Sequence, residues 1–129
     1  MTIESKWLFE KVLTRFAGTV IFGFLFVKDL EDKELINHEK IHVRQFLEIS
    51  LVVALLLIPV AWFISYWFLM AIPVAFYIWY GIEFLIRLIQ YRDREKAYKK
   101  IAFEAEAYDK EDDFTYLQNR RFWRFWKYI

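Results

Sequence analysis

The 129-residue sequence lacks cysteine and contains only two histidines, three glycines and two prolines. Without cysteine the chain forms no disulfides and offers no thiolate, so a bound metal would depend on histidine and carboxylate side chains. The sequence also has little net charge, because 18 basic residues nearly balance 17 acidic ones. A net charge of +1 does not create the field that attracts nucleic acid, and we expect no nucleic-acid partner.

Basic residues are absent from one long stretch, residues 45–86, whose only charged residues are Glu48 and Glu83. A membrane-spanning helix needs about 20 apolar residues, so a run of about 40 is sized for two passes. The segment from Ser65 to Pro73 supplies the turn between them, and its proline is well placed to begin the second helix. The sequence predicts a mainly α integral membrane protein built on a two-pass transmembrane helical hairpin, with the lipid bilayer as a partner.

The two acidic residues of this apolar stretch need an explanation, because charge in a membrane-spanning segment is costly. Each has an arginine four residues away, Arg44 before Glu48 and Arg87 after Glu83. Residues at this spacing are neighbours on a helix face, so the sequence predicts two local ion pairs.

Both histidines lie in one string, His38-Glu39-Lys40-Ile41-His42. Residues i and i+4 lie one above the other on a helix face, so both imidazoles can bind one Zn²⁺. In this HExxH pattern Glu39 projects beside the metal, where it can take a proton from a bound water. The string precedes the first pass, on the side that holds every basic residue and both chain ends, and the positive-inside tendency predicts that this side faces the cytoplasm. Gln45 shares the histidine face and either lines the site or packs beside it.

A third ligand is predicted in the region after the second pass. From Tyr91 to about Lys110 the sequence has good helix formers and neither glycine nor proline, which indicates a helix continuing from the second pass. In an antiparallel helical pair, residues equally far from the turn lie at equal height. With a turn near residue 71, Glu104 or its neighbour Glu106 comes level with the histidines. The two glutamates point to nearly opposite faces, so only one can bind the metal, and the choice stays open.

An HExxH string, two membrane passes and a glutamate-bearing helix together resemble the integral-membrane gluzincins. These include the CAAX prenyl endopeptidases and the heat-shock membrane protease HtpX, of which this chain would be a minimal relative. Family members carry the third ligand in a string like FExxAD, and this chain reads FEAEAY at residues 103–108. Tyr108 stands where the family usually has the aspartate that braces a ligand histidine, so that support must come from elsewhere.

The resemblance implies a site in which the metal ligands are His38, His42 and Glu104, with Glu106 as the alternative third ligand, and the catalytic base is Glu39. It implies a zinc metallopeptidase of a bacterial inner membrane, an endopeptidase that hydrolyses membrane or membrane-proximal polypeptide substrates at the cytoplasmic face. The oxyanion formed in such a reaction needs Tyr98, Tyr108, Tyr116 or an arginine, because no histidine remains. The alternative is a non-catalytic small membrane protein, a metal-binding or interaction subunit, whose HExxH is vestigial. Whether a homo-oligomer completes the site stays an open question.

A single membrane-embedded domain over residues 1–129 is expected, in five parts. They are an amphipathic helix (1–15), a strand or re-entrant segment (16–28), the HExxH helix with the first pass (33–69), the second pass with the Glu helix (73–110), and an interfacial segment (111–129). Basic and aromatic residues alternate in the C-terminal NRRFWRFWKYI, which favours anchoring among lipid headgroups. Because zincin peptidases hold substrates along a strand edge, Gly18–Val27 is either that edge or a strand or loop that packs under the helix.

Overall fold

The computed structural model describes residues 2–4, 18–28 and 30–129. Within them the α-helices are α1 (Lys33–Phe63), α2 (Ala71–Tyr91), α3 (Arg94–Lys99), α4 (Ala102–Lys110) and α5 (Tyr116–Asn119), with 3₁₀ helices at Tyr66–Met70 and Arg124–Tyr128. The strands are β1 (Thr2–Glu4), β2 (Gly18–Ile21) and β3 (Phe24–Val27). The predicted mainly helical fold with a short β segment is confirmed in this part of the chain.

The described strands form a sheet in the order β1-β3-β2, with β1 parallel and β2 antiparallel to β3. The segment predicted as strand or re-entrant is therefore a β-hairpin where it is described. Its turn consists of Phe22 and Gly23, whose φ values of 49° and 82° match a tight two-residue hairpin. The helix predicted over residues 1–15 is wrong at residues 2–4, because these residues form β1. The rest of that prediction lies outside the described residues.

α1 begins at a capped N-terminus and changes character along its length. The Asp32 side chain accepts a hydrogen bond from the backbone N–H of Leu35 at 2.9 Å, which closes the first turn. The first half buries polar residues against the other elements, namely Asn37, His38, Glu39, His42, Gln45 and Glu48. The second half continues through Pro59 and leaves apolar residues outside, with Leu55 and Leu56 each 67% exposed.

α1 and the segment Tyr66–Tyr91 are long and apolar enough to cross a membrane, by length and composition. In a soluble protein, helices of this composition are buried in the core. Only 22% of the apolar window of the first helix and 11% of that of the second are buried within the protein. Most of their apolar surface is left for another medium, which favours association with a membrane.

The chain after α2 is not the single continuous helix that the sequence predicts over residues 73–110. α2 ends at Tyr91, because Arg92 adopts a left-handed backbone with φ 53°. Asp93 then starts α3 by accepting a hydrogen bond from the backbone N–H of Lys96 at 2.7 Å. A second interruption, at residues 100–101, separates α3 from α4.

These interruptions let the chain fold back, so that α4 packs along α1 and its first turn meets α2. Phe103 of α4 stacks on Phe76 of α2, with the ring centroids 4.8 Å apart. Tyr80 donates a hydrogen bond to Glu104 at 2.7 Å, although a continuous helix would separate these two residues by about 36 Å. A reversal of the chain therefore brings Glu104 to the level of the histidines. The predicted long antiparallel pairing about residue 71 is wrong, although Glu104, one of the two glutamates that it offered, does reach that level.

Buried side chains of α1 and α2 hold both ends of α4. At its N-terminus, Glu83 accepts a hydrogen bond from the backbone N–H of Ala102 at 2.8 Å. At its C-terminus, the Asn37 amide donates to the carbonyls of Lys110 and Glu111, at 3.1 and 2.9 Å. These bonds satisfy backbone groups that a helix leaves unpaired at its ends, and they fix the position of α4 along α1 and α2.

Both predicted ion pairs of the apolar stretch are present. The N–O distance is 3.6 Å between Arg44 and Glu48, and 3.4 Å between Arg87 and Glu83. Each carboxylate also has a further partner: the backbone of α4 binds Glu83, and Arg120 of the C-terminal segment binds Glu48. The plain explanation from helix spacing is therefore correct but incomplete.

Part of the C-terminal segment packs on the helices, and its role as an interfacial anchor stays a prediction. Arg120 and Phe125 are buried, at 8% and 0% exposure. Phe125 packs on the Phe103 ring of α4, with centroids 4.7 Å apart. Phe122 and Trp126 stay exposed, so only part of the segment keeps a surface for lipid headgroups. The alternation of basic and aromatic residues did not reveal which of them turn inward.

Candidate metal centre

The predicted ligands His38 and His42 meet Glu104 in a buried cluster that could hold a metal ion. The Nε2 atoms of the two imidazoles lie 3.1 Å apart. His38 Nε2 lies 3.4 Å from Glu104 Oε2, and His42 Nε2 lies 3.3 Å from Glu104 Oε1. Each of the three residues is at most 7% exposed, so these atoms converge in a space shielded from solvent.

Of the two candidate third ligands, Glu104 faces the imidazoles and Glu106 does not. Glu106 points to the other side of α4, where it accepts hydrogen bonds from Gln45, Tyr116 and Arg120. Residues i and i+2 project from nearly opposite faces of a helix, so the orientation of α4 decides between them.

Acceptors on their outer nitrogens orient the two imidazoles. His38 Nδ1 lies 2.9 Å from Glu111 Oε2, and His42 Nδ1 lies 2.8 Å from Gln45 Oε1. The Gln45 amide nitrogen donates to the carbonyl of Phe103 at 3.1 Å, which assigns its oxygen to the side of His42. Because both partners are acceptors, each neutral ring carries its proton on Nδ1 and directs the Nε2 lone pair inward.

The inner atoms of the cluster are acceptors without enough donors. The Tyr80 hydroxyl donates to Glu104 Oε1 at 2.7 Å, whereas Glu104 Oε2 is buried and has no hydrogen-bond partner among the described residues. Burial opposes the ionisation of Glu104, but positive charge on His42, together with donors from His38 and Tyr80, outweighs it and holds the pKa of Glu104 below its ordinary value. A carboxylate and two nitrogen lone pairs this close repel one another unless a cation lies among them, so the arrangement suits a metal ion.

Glu39 lies beside this cluster and is 6% exposed. Gly18, at the start of β2, lies against it, because a Cβ at this position would come within 2.6 Å of Glu39 Oε1. The strand therefore approaches the carboxylate so closely that a side chain does not fit without displacing it. The motif identified Glu39 as the candidate base but gave no sign of Gly18, although glycine is scarce in this sequence.

Two cavities adjoin the cluster. One of about 800 Å³ has polar walls that include His38, Arg94, Glu95, Tyr108 and Glu111. The other, of about 330 Å³, is more aromatic, and its walls include His42, Phe76, Tyr77, Tyr80 and Glu104. Four residues line both cavities, namely Gly18, Glu39, Phe84 and Tyr98. An extended polypeptide that reached from one cavity to the other would therefore pass Glu39.

Among the tyrosines considered for the oxyanion, Tyr98 is the best placed because it lines both cavities. Burial and the nearby Glu104 carboxylate raise the pKa of Tyr98, so its hydroxyl keeps its proton at neutral pH. Tyr116 is engaged on the far side of α4, where it donates a hydrogen bond at 2.7 Å. Tyr108 is 42% exposed and packs edge-on against the His38 ring, with centroids 4.6 Å apart.

The structure also assigns residues that the sequence did not reveal. Glu111 supplies the bracing acceptor for His38 that Tyr108 does not offer. It lies seven residues after Glu104, so a shared helix face was a signal that could have indicated it. Tyr80 binds Glu104, but it is one of many aromatic residues in the apolar stretch and nothing in the sequence distinguishes it.

Comparisons with known proteins identify no family for this chain. The chain matches no protein-family model, and no curated protein or solved structure matches it. The motif and the arrangement of the site residues are therefore the features that indicate its function.

Proposed function

We propose that this chain is a membrane-embedded, zinc-dependent endopeptidase that hydrolyses peptide bonds of membrane or membrane-proximal polypeptides. One observation carries the proposal: His38, His42 and Glu104 direct acceptor atoms toward one point beside the buried Glu39 carboxylate. Two histidines of an HExxH helix, a glutamate from a later helix and a neighbouring base form the site of a gluzincin. The proposal therefore includes a relationship to the integral-membrane members of that group.

Zinc suits the spacing and the chemistry of the cluster. Two ligands bound at about 2.0–2.1 Å to one tetrahedral Zn²⁺ lie about 3.3–3.4 Å apart. The corresponding separations here are 3.1, 3.3 and 3.4 Å. Two imidazole nitrogens and a carboxylate also form the ligand set of catalytic zinc sites that keep a fourth position open. A zinc ion bound here would supply a water of lowered pKa and a Lewis acid for the peptide carbonyl.

The side chains around the cluster have distinct tasks in this reaction. Glu39 takes the proton of the attacking water and delivers it to the nitrogen of the leaving amine. The Tyr98 hydroxyl donates a hydrogen bond to the oxyanion that develops on the carbonyl oxygen. Glu111 and Gln45 hold the imidazoles in the tautomer that leaves both Nε2 atoms free to bind metal.

The proposal sets α1 and the segment Tyr66–Tyr91 across a bacterial inner membrane, with both termini and the site on the cytoplasmic side. The exposed apolar surface of the two segments supports the spanning arrangement. The absence of lysine and arginine from residues 45–86 supports the orientation, since basic residues concentrate on the cytoplasmic side. The peptide bond to be cleaved would then lie at the cytoplasmic boundary of the bilayer.

The substitution Glu39→Gln separates catalysis from metal binding. The amide keeps the shape of the side chain but does not accept the proton, so we expect one bound zinc per chain and a loss of hydrolysis of about a hundredfold or more. The measurement uses purified protein in lipid nanodiscs, with elemental analysis for zinc and with casein and bilayer-anchored peptides as substrates. Lys40→Gln, at the exposed neighbouring position, is the matched control and should keep both properties.

Two outcomes would overturn the proposal. If wild-type protein binds zinc but hydrolyses neither casein nor the anchored peptides faster than Glu39→Gln does, the chain is a non-catalytic metal-binding protein with a vestigial motif. If wild-type protein and His42→Ala hold equally little zinc, the metal site itself is refuted.

A further inference from the structure

The turn of the β2–β3 hairpin presents apolar side chains where tight hairpins ordinarily present polar ones. Ile21, Phe22 and Phe24 are 38%, 55% and 50% exposed. Phe22 also takes a positive φ of 49°, a conformation that glycine or asparagine adopts at lower cost. The Phe22 ring packs edge-on against Tyr77 of α2, with centroids 5.8 Å apart, yet more than half of its surface stays exposed. An exposed apolar surface on a turn with this backbone indicates a further contact outside the protein.

The contacts of this turn define its level along the helices. The Phe22 N–H donates to the Tyr77 hydroxyl at 2.7 Å, and a Cβ on Gly23 would lie 3.2 Å from the Phe46 ring. Phe46 follows His42 by one helical turn in the direction of the apolar half of α1. The hairpin turn is therefore about 5 Å further along that direction than the imidazoles.

The helices are apolar and exposed around this level. Their exposed apolar residues here include Leu47, Leu51, Ile78, Ile82, Leu85 and Ile86. On α2 this character continues past the level of Tyr77 to Ile82, which is 55% exposed, so a bilayer that covers this part of α2 also covers the level of the hairpin turn. At the other end of the hairpin Lys28 is exposed and charged. Polarity thus changes along the hairpin as it does across a membrane interface.

We infer that the β2–β3 hairpin inserts turn-first into the hydrocarbon of the bilayer, where lipid acyl chains contact Ile21, Phe22 and Phe24. The Tyr77 hydroxyl holds the hairpin in place, because it also donates to the carbonyl of Val20 at 3.1 Å. The apolar surface of the turn then continues the apolar surface of the two helices.

This placement leads β2 from the lipid to the site, because Ile21 lies at the turn and Gly18 lies against the Glu39 carboxylate. β2 is an edge strand of the described sheet, and a strand edge can pair with an extended polypeptide. This part of the inference rests on the proposed function. It identifies the substrate as a polypeptide segment that is itself inserted in the bilayer, rather than a soluble peptide.

Labelling at single cysteines tests the depth of the turn, since the chain has no cysteine of its own. Phe22→Cys, Phe24→Cys, Lys28→Cys and Leu51→Cys are each labelled with an environment-sensitive NBD fluorophore in vesicles of phosphatidylcholine and phosphatidylglycerol. Leu51→Cys reports the hydrocarbon and Lys28→Cys reports water. We expect the labels at residues 22 and 24 to be quenched by nitroxide-bearing lipid, as at residue 51. The label at residue 28 should instead be quenched by aqueous iodide.

The quenching results test the insertion of the hairpin and the membrane-spanning arrangement separately. Labels at residues 22 and 24 that respond to iodide, while residue 51 responds to lipid, overturn the insertion of the hairpin. A label at residue 51 that responds to iodide overturns the membrane-spanning arrangement as well. Neither reading depends on hydrolysis, so an inactive wild-type protein would refute the proposed function without deciding the depth of the turn.

The substrate class is tested with Phe22→Ser, which replaces an exposed residue outside the metal cluster. We expect slower hydrolysis of a peptide anchored in the bilayer, unchanged hydrolysis of casein and unchanged zinc content. If both substrates are hydrolysed as by the wild type, the turn does not guide a membrane-inserted substrate. If both slow equally, the substitution acts on the site rather than on entry from lipid, and this part of the inference is also wrong.

Discussion

Two glutamates of α4, Glu104 and Glu106, occupy opposite faces of one short helix and meet opposite surroundings. Glu106 receives donors on both oxygens, including Arg120 Nε at 2.6 Å, Tyr116 at 2.7 Å and Gln45 at 3.0 Å. Glu104 receives the Tyr80 hydroxyl on one oxygen, and its other oxygen has no hydrogen-bond partner among the described residues. Both carboxylates are buried, so burial alone does not distinguish their roles.

The difference lies in how each buried charge is compensated. A buried carboxylate is stable when cations and donors of the protein satisfy it, and this is the condition of Glu106. Glu104 instead adds negative charge to two inward imidazole lone pairs. Donors of the protein satisfy both oxygens of Glu106, and this Glu106 cluster holds α4, α1 and the C-terminal segment together. The cluster of Glu104, His38 and His42 has its acceptor atoms satisfied when it binds a cation. This is the physical reason to place function there.

Removing Arg120 breaks the Glu106 cluster and should have the largest effect. Arg120→Met leaves Glu48 and Glu106 buried without their shared cation, and breaking a buried ion pair costs about 3–5 kcal/mol. We expect the free energy of unfolding in detergent micelles to fall by this amount, measured by urea titration of tryptophan fluorescence. Arg121→Met, at the exposed neighbouring position, should change it little. Equal stability of the two variants would contradict the structural role of the cluster.

Isosteric amides at the two glutamates test the comparison directly. Glu104→Gln removes a charged metal ligand, so we expect zinc affinity to fall by more than about a hundredfold, beyond the loss typical of an outer partner of a ligand. Glu106→Gln should retain zinc binding but lower stability, because Arg120 loses a charged partner. Zinc affinity is measured by competition with a chromophoric chelator. If Glu106→Gln loses zinc and Glu104→Gln keeps it, the third ligand has been assigned to the wrong glutamate.

Removing the charge of Glu111 tests how the metal cluster is supported. Glu111 accepts from His38 Nδ1 at 2.9 Å, and loss of such an outer partner lowers metal affinity by about 10–100-fold. We expect this decrease for Glu111→Gln in the same competition assay. Glu95→Gln is the control, since Glu95 lines the same cavity but binds Lys99 on the surface. A comparable decrease in the control would mean that general charge, rather than the bond to His38, sets the affinity.

A methyl group at Gly18 should have the smallest effect and should act on catalysis alone. Gly18→Ala places a Cβ about where the Glu39 carboxylate now lies, and a displacement of about 1 Å near reacting groups can cost up to about a hundredfold in rate. Because the flexible Glu39 side chain can partly move aside, we expect about a tenfold decrease in kcat with unchanged zinc content. Gly81→Ala, where a Cβ would meet nothing within 4 Å, should leave kcat unchanged. Loss of zinc from Gly18→Ala would contradict the proposed separation of metal binding from catalysis.

The helix that carries His38 and His42 could be predicted from sequence, because the stacking of residues i and i+4 depends on the helical repeat alone. The expectation that Glu104 or Glu106 reaches the histidines rested on a continuous antiparallel helix, which the break at Arg92 excludes. Glycine or proline usually signals such a break, and here an arginine adopts the left-handed conformation instead. The inward turn of Arg120 was likewise beyond prediction, since its buried partners come from two distant helices.

The sequence by itself determines three properties of this protein: two imidazoles on one helix face, the lack of thiolate ligands and two long apolar segments. These are properties of composition and of local repeat, which a segment keeps whatever surrounds it. Tertiary structure decided that Glu104 rather than Glu106 faces the histidines, that Glu111 orients His38, and that β2 passes Glu39. Those relations depend on where the chain reverses and on which surfaces pack together, because a side chain finds its distant partners only after the whole fold has placed them.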